Sequence, residues 1–141
     1  MKLYHFTAAH LIDRIKKEGI TLGGIPLSLP PHPKVEWGYQ WLTANPDFKQ
    51  AWCDPEYSSL PYNRNDYRIA INVQDKSAHG TLIPWMPLWE RLQKYIPLIR
   101  HLNDFGDPEN WFLFHGNIPV KWFIEITLNP ELKGIKKVIS L

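Results

Sequence analysis

The chemistry this sequence offers most openly is stacking on flat aromatic surfaces. Its 141 residues include seven tryptophans within an aromatic content of 13%. An indole is hard to bury fully and its N–H needs a partner, so core packing alone rarely asks for so many. Some of them are expected to face a ligand with a flat ring, with core volume as the alternative use. Metal chemistry has no comparable support. The six histidines are spread along the chain without an HExxH or CxxC pattern. His101 and Asp104 come nearest to a cluster, and surface solvation accounts for them better. No metal is expected. Cys53 is the single cysteine and has no cation beside it in sequence; a Cys/His pair formed in space stays open. Neither a Gly-x-Ser-x-Gly elbow nor a Walker-type phosphate loop is present, and Gly23-Gly24 is too little for a phosphate cradle.

The elements that must position such residues read as α+β, with strands concentrated late in the chain rather than alternating with helices. Lys2–Phe6 reads as a short aromatic strand, and Thr7 as the N-cap of a helix in which Leu11, Ile12 and Ile15 share one side and Gly19 gives the stop. Residues 23–36, rich in glycine and proline, read as an extended loop. Residues 38–44 predict a strand, and Asn45-Pro46 opens a short helix through Trp52. Residues 53–66 read as a polar loop and 67–73 as a strand with Ile69, Ile71 and Val73 on one face. Residues 74–84 read as turns, and 87–102 as a helix interrupted at Pro97, with Trp85 and Trp89 as a packing pair at its start. Strands follow at 111–115 and 121–127, where Trp122 is expected to pack, and an edge strand is expected at 136–141.

Three segments in this order resemble the ADP-ribosyltransferase superfamily, above all its poly(ADP-ribose) polymerase-like, H-Y-E branch. They are YHFT followed by a helix ending in Glu-Gly-Ile, then GYQWLTANPDFKQAW, then PENWFLFHGNIPVKWFIEI. The opening is also similar to that of bacterial DNA-ADP-ribosylating toxins. Together the segments span about a third of the chain. In the family a strand aromatic and a second aromatic eleven residues later flank the nicotinamide ring; here Trp41 and Trp52 stand eleven apart. Trp41 replaces the family's tyrosine, Leu42 its usual phenylalanine, and Asn110 an aromatic.

The resemblance implies a single domain over 1–141, a split and mostly antiparallel sheet with flanking helices and a central cleft, and NAD as co-substrate. It implies transfer of ADP-ribose to a macromolecular acceptor (protein, DNA or RNA), as in a toxin or a phage–host conflict protein. It places His5 on the adenosine ribose, Trp41 and Trp52 on the nicotinamide, and the catalytic carboxylate on Glu109, with Glu125 as rival. Thr7 could add a hydroxyl contact to NAD, and Arg68 could reach a pyrophosphate. The chemistry is compatible with one carboxylate, because breaking the nicotinamide–ribose bond builds oxocarbenium character that a nearby negative charge stabilises. tRNA 2′-phosphotransferase-like chemistry fits less well, since its paired arginines and histidines are missing. The reading from a different class is a degenerate fold that binds a nucleotide or a partner without turnover.

Charge and composition set the outer bounds. Sixteen basic and fourteen acidic residues give a net charge of +2 and a sequence pI near 8.6, short of the pI of about 9 that marks a nucleic-acid-binding domain. No apolar run reaches the roughly 18 residues of a membrane span. The opening MKLYHFTAAH lacks the apolar core of a signal peptide. A lone thiol suits a reducing compartment, so a cytoplasmic protein is expected.

Overall fold

The computed structural model describes residues 1–28, 34–53, 62–104 and 106–132; the side chains of Ala51 and His101 fall outside the described part, as do the expected strand at 136–141 and most of the loop at 53–66. The fold is α+β. Its strands are β1 (Lys2–Thr7), β2 (Gly24–Ser28), β3 (Lys34–Trp37), β4 (Tyr39–Thr43), β5 (Tyr67–Asn72), β6 (Lys76–Ser77), β7 (Gly80–Pro84), β8 (Trp111–Gly116) and β9 (Phe123–Leu128). The α-helices are α1 (Ile12–Glu18) and α2 (Trp85–Leu92), and 3₁₀ segments occur beside them, the longest over Pro97–Asp104, so the expected helix over 87–102 is divided before Pro97. Seven strands form one sheet in the order β6-β7-β8-β4-β1-β5-β9, while β2 and β3 form a separate pair. Every described pairing is antiparallel.

The joint between β1 and β4 differs from the rest of the sheet. On its other side β1 runs beside β5 through six register pairs, from Lys2 opposite Asn72 to Thr7 opposite Tyr67. Toward β4 it holds a single pair, Tyr4 opposite Thr43. The backbone ladder is thus shortest at this joint, a seam between the group β1-β5-β9 and the group β6-β7-β8-β4 within one sheet.

Side-chain alternation along the strands sends two apolar clusters to opposite faces. On one face Leu3, Leu42, Ile69, Ile71 and Phe114 are covered by Ile12 and Ile15 of α1 and by Trp122. On the other, Leu113 and Trp111 are covered by Trp85 of α2, by Ile25 of β2 and by Ile99. Trp85 is fully buried and donates its indole N–H to Asn103 Oδ1 at 2.6 Å, while Trp89 donates to the Ile99 carbonyl at 3.1 Å. Trp122 meets Phe114 edge-on at 5.5 Å, as expected of a packing residue. Among the described residues no helix is long and apolar enough to cross a membrane.

Several elements differ from the sequence reading for local reasons. Thr7 is the last residue of β1, 3% exposed, and caps no helix; a 3₁₀ turn over Ala9–Leu11 precedes α1, with Ala8 at its N-cap position and no side-chain cap. Gly19 does end α1, at φ 84°, donating its N–H to the Ile15 carbonyl. A side chain at Gly19 would also run into the Ile118 carbonyl, 2.3 Å from the place of a Cβ, so this glycine is required twice over. Residues 23–36 are not one loop but contain the β2–β3 pair. Pro26 can sit in it because a two-stranded sheet consists only of edges, and the register shifts between Pro26 and Ser28. The expected helix after Asn45 is missing. Asn45 Oδ1 accepts from the Asp47 N–H and Asp47 Oδ1 from the Lys49 N–H, so consecutive side-chain turns compete with helical bonding. Only Ala51–Cys53 forms a 3₁₀ turn. Residues 74–84 contain β6 and β7, with Ile83 opposite Leu113 of β8.

Candidate functional site

His5 stands at the seam. Its Nδ1 lies 2.9 Å from the Trp41 carbonyl oxygen. A carbonyl only accepts, so Nδ1 carries the proton and donates, and Nε2 is left as an acceptor in the neutral ring. The imidazole thus makes a link to β4 where the backbone ladder has lapsed. Desolvation in this packed position outweighs the raising effect of the Trp41 hydrogen bond, and Arg64 adds positive charge nearby, so the His5 pKa is lowered to about 4. The ring is neutral at physiological pH.

Phe6, the next residue of β1, points to the opposite face from Leu3 and meets the Trp52 ring edge-on at 6.4 Å. Trp52 is half-buried; its N–H donates to Gln50 Oε1 at 3.3 Å. Arg64 lies over the Trp52 ring, 5.1 Å from the centroid, and its Nη2 donates to the Trp52 carbonyl at 2.5 Å. A cation on an indole face is held by the ring quadrupole. Arg64 was not singled out from the sequence, because a loop arginine carries no positional signal until its loop is folded over a ring.

Cys53 is 0% exposed and beside this group. Burial pushes its thiol up to about 12, against a smaller lowering effect of Arg64. A nucleophilic role needs a thiolate, and this environment opposes one. The folded protein is expected to resist thiol-directed alkylation at neutral pH and to react in denaturant; rapid alkylation of the native state would show that Cys53 is accessible.

No family model, curated protein or solved structure matches the chain.

The other sequence candidates fall into place around the seam or away from it. Trp41 is near His5 through its backbone, but its ring faces the second apolar cluster. Its N–H donates to the Gly24 carbonyl at 2.9 Å, and its ring packs against Trp85 at 4.9 Å and edge-on to Trp111 at 6.1 Å. Gly106 lies between Trp111 and Trp52. A Cβ placed on Gly106 would lie 3.2 Å from Trp111 Cζ2 and 3.6 Å from Trp52 Cδ1. Trp111 is 6% exposed, and its indole N–H has no partner among the described residues. A buried unmet donor is costly, about 1–3 kcal/mol, and a ligand oxygen would relieve it. Sequence reading placed Trp111 only as a strand residue.

Glu109 belongs to a 3₁₀ turn, Pro108–Asn110, just before β8. Tyr4, Thr43 and Trp111 form one row across the seam, and the Ala44 N–H donates to the Asn110 carbonyl at 2.9 Å. Glu109 is therefore two residues from the seam row. Its side chain is exposed and makes no hydrogen bond or ion pair among the described residues. The turn that carries it is pinned by Asp107, whose Oδ2 accepts from Asn45 Nδ2 at 2.8 Å and Asn110 Nδ2 at 2.9 Å. Glu125 is elsewhere, exposed on the outer strand β9 opposite Ala70. Two strand spacings, roughly 10 Å, separate its strand from β1. Thr7 is buried on β1 opposite Tyr67. Arg68 projects to the face of Phe6 and donates to the Pro46 carbonyl at 2.8 Å. Among the described residues no group of three or more histidine, cysteine, aspartate or glutamate side chains is placed to hold a metal ion.

Proposed function

We propose that the protein binds NAD at the seam between β1 and β4 and transfers its ADP-ribose to a macromolecular acceptor. The observation that carries this reading is the His5 imidazole, held neutral between the two strand groups with Nδ1 committed to Trp41 and Nε2 kept as an acceptor. A neutral imidazole with one nitrogen left as an acceptor suits a ribose hydroxyl, which donates to it. In this reading NAD enters where the β1–β4 ladder is short. Trp52 with its Arg64 cover supplies the flat surface, and the unmet Trp111 N–H supplies a donor for a carboxamide or hydroxyl oxygen. Glu109, at the mouth of β8, is the carboxylate that would face the ribose as its positive charge develops.

A second reading, an NAD- or nucleotide-binding module without turnover, is favoured by one observation. Glu109 is exposed and no neighbour among the described residues fixes its side chain, whereas electrostatic catalysis depends on a preorganised group. Calorimetric titration with NAD, run with an assay of nicotinamide release, separates the readings. Binding with release supports the enzyme, binding without release supports the module, and no binding removes both.

The Trp52 contact has its own test. Trp52→Ala is expected to weaken NAD binding by about 1–3 kcal/mol through lost stacking, and Trp52→Phe to recover most of it. If both variants bind NAD like the wild type, Trp52 serves only to pack against Phe6.

A further inference from the structure

A second place in the molecule is built to receive an anion, and it does not depend on the NAD reading. A cavity of about 390 Å³ lies between the Pro46–Lys49 segment and residues 129–131, with Arg68 of β5 in its wall. The guanidinium of Arg68 is held flat, 4.9 Å from the Phe48 ring centroid and 5.5 Å from that of Tyr4. Its Nη1 donates to the Pro46 carbonyl at 2.8 Å. Among the described residues its buried Nε has no partner and Arg68 forms no ion pair. In a guanidinium the Nε–H and one Nη2–H lie parallel on a single edge, the edge that meets two oxygens of a phosphate or carboxylate. The Nε of that edge has no partner among the described residues, and an unmet buried donor on a charged group favours an incoming anion.

We infer that this cavity binds the phosphate group of a small phosphorylated molecule, seated on the Nε/Nη2 edge of Arg68. Lys49 adds a second positive charge at the rim, and the Asn65 side chain stands in the same wall. Two acids also line the cavity, Asp47 and Glu131, and both are exposed. Asp47 Oδ1 accepts from the Lys49 backbone N–H at 2.9 Å, so this carboxylate is turned to its own loop rather than to Arg68. A dianionic phosphate competes for the guanidinium better than a single carboxylate, and its three oxygens can engage Arg68 and Lys49 together. The rest of the wall is formed by Asn129 and by the apolar surfaces of Phe48, Pro46 and Pro130. A lone phosphate would leave this part empty, so the ligand carries an apolar or aromatic body. Cavities of a few hundred Å³ are the size that small-molecule ligands fill. Alternation along β1 directs Tyr4 and Phe6 to the Arg68 face and gives His5 the opposite parity. Phe6 meets both Phe48 of this cavity, at 5.7 Å, and Trp52, at 6.4 Å, so the cavity adjoins the Trp52 surface.

The test is calorimetric titration of the folded protein at low salt with adenosine 5′-monophosphate, adenosine, inorganic phosphate and a dinucleoside monophosphate. Adenosine 5′-monophosphate should bind at least about tenfold more tightly than adenosine, and Arg68→Gln should remove that advantage, as loss of a charge-assisted pair requires. Lys49→Gln, at an exposed position, should weaken binding several-fold without risk to folding, and Asp47→Asn should strengthen it. In His5→Asn the advantage of adenosine 5′-monophosphate over adenosine should persist, because that advantage is read by Arg68. A preference for the monophosphate over the dinucleoside monophosphate identifies a free terminal phosphate as the ligand; equal binding identifies a phosphodiester. The inference is overturned if none of the phosphate-bearing probes binds in the millimolar range. It is equally overturned if Lys49→Gln and Arg68→Gln bind like the wild type, or if His5→Asn rather than Arg68→Gln abolishes binding.

Discussion

Acidification is expected to destabilise the protein as the pH falls from about 6.5 to about 4, with His5 responsible for about 3 kcal/mol of the loss. The sign follows from where the proton goes. In the unfolded chain His5 titrates near 6.5, and in the folded protein near 4. Between these values the unfolded state holds the extra proton, so stability rises with pH. The contribution is complete above 6.5, declines as the pH drops through the window, and is exhausted below about 4. Carboxylates titrate over the lower part of the same range, so the measurement needs a variant that isolates His5. His5→Asn is suited to this, because its amide N–H can replace the Nδ1–H donated to Trp41 but does not titrate there. Denaturant unfolding at neutral pH and near pH 4 should show the wild type losing about 3 kcal/mol more than His5→Asn. Parallel losses in the two proteins would mean that His5 is not held neutral by its surroundings. The same variant lacks Nε2, so its NAD affinity reads the second role of the ring without changing the first.

What could be read from the sequence, and what could not, divides along physical lines. β1, β4 and β8 are legible because aromatic residues are concentrated in them, β5 because Ile69, Ile71 and Val73 recur at period two, and Gly19 because a helix stop is local chemistry. β2 was hidden by Pro26, which argues against any strand except one made of edges. The segment after Asn45 looked helical by its opening, yet Asn45 and Asp47 each capture a backbone N–H two residues on. For the site, residue type proved easier to judge than direction. His5 and Trp41 do meet, but through the Trp41 carbonyl and not its ring, and a carbonyl contact leaves no mark on sequence. The eleven-residue spacing of Trp41 and Trp52 says nothing of faces, and the structure sends the Trp41 ring into the cluster around Trp85. Arg64 and Trp111 were out of reach for a related reason. A cation over a ring and an unmet indole N–H arise only when separate segments are packed together.

If the protein turns over NAD, Glu109→Gln is expected to lower nicotinamide release by about 10²–10³ while NAD affinity stays within a few-fold. The substitution keeps the shape of the side chain and removes its charge. Ground-state NAD carries little added positive charge on the ribose, so binding should hardly notice, whereas the oxocarbenium-like transition state should lose its counter-charge. The position of Glu109 gives the comparison its force. It rides on a turn pinned by Asp107 to Asn45 and Asn110, two residues from the row formed by Tyr4, Thr43 and Trp111. Glu125 is exposed on the outer strand β9, with β5 between it and β1. Glu125→Gln should therefore leave turnover near wild type. Neither residue is buried, so neither change should cost much stability, and a loss of activity can be assigned to chemistry once the melting temperatures are shown to agree. Should Glu125→Gln abolish release while Glu109→Gln is silent, the carboxylate was assigned to the wrong strand and NAD must lie nearer β9 than the His5 seam allows. Should both variants bind NAD and release nicotinamide no differently from the wild type, a carboxylate at either position is not what the reaction uses. An exposed and unpinned Glu109 would then be what it resembles in the free protein, a solvated acid beside a binding site.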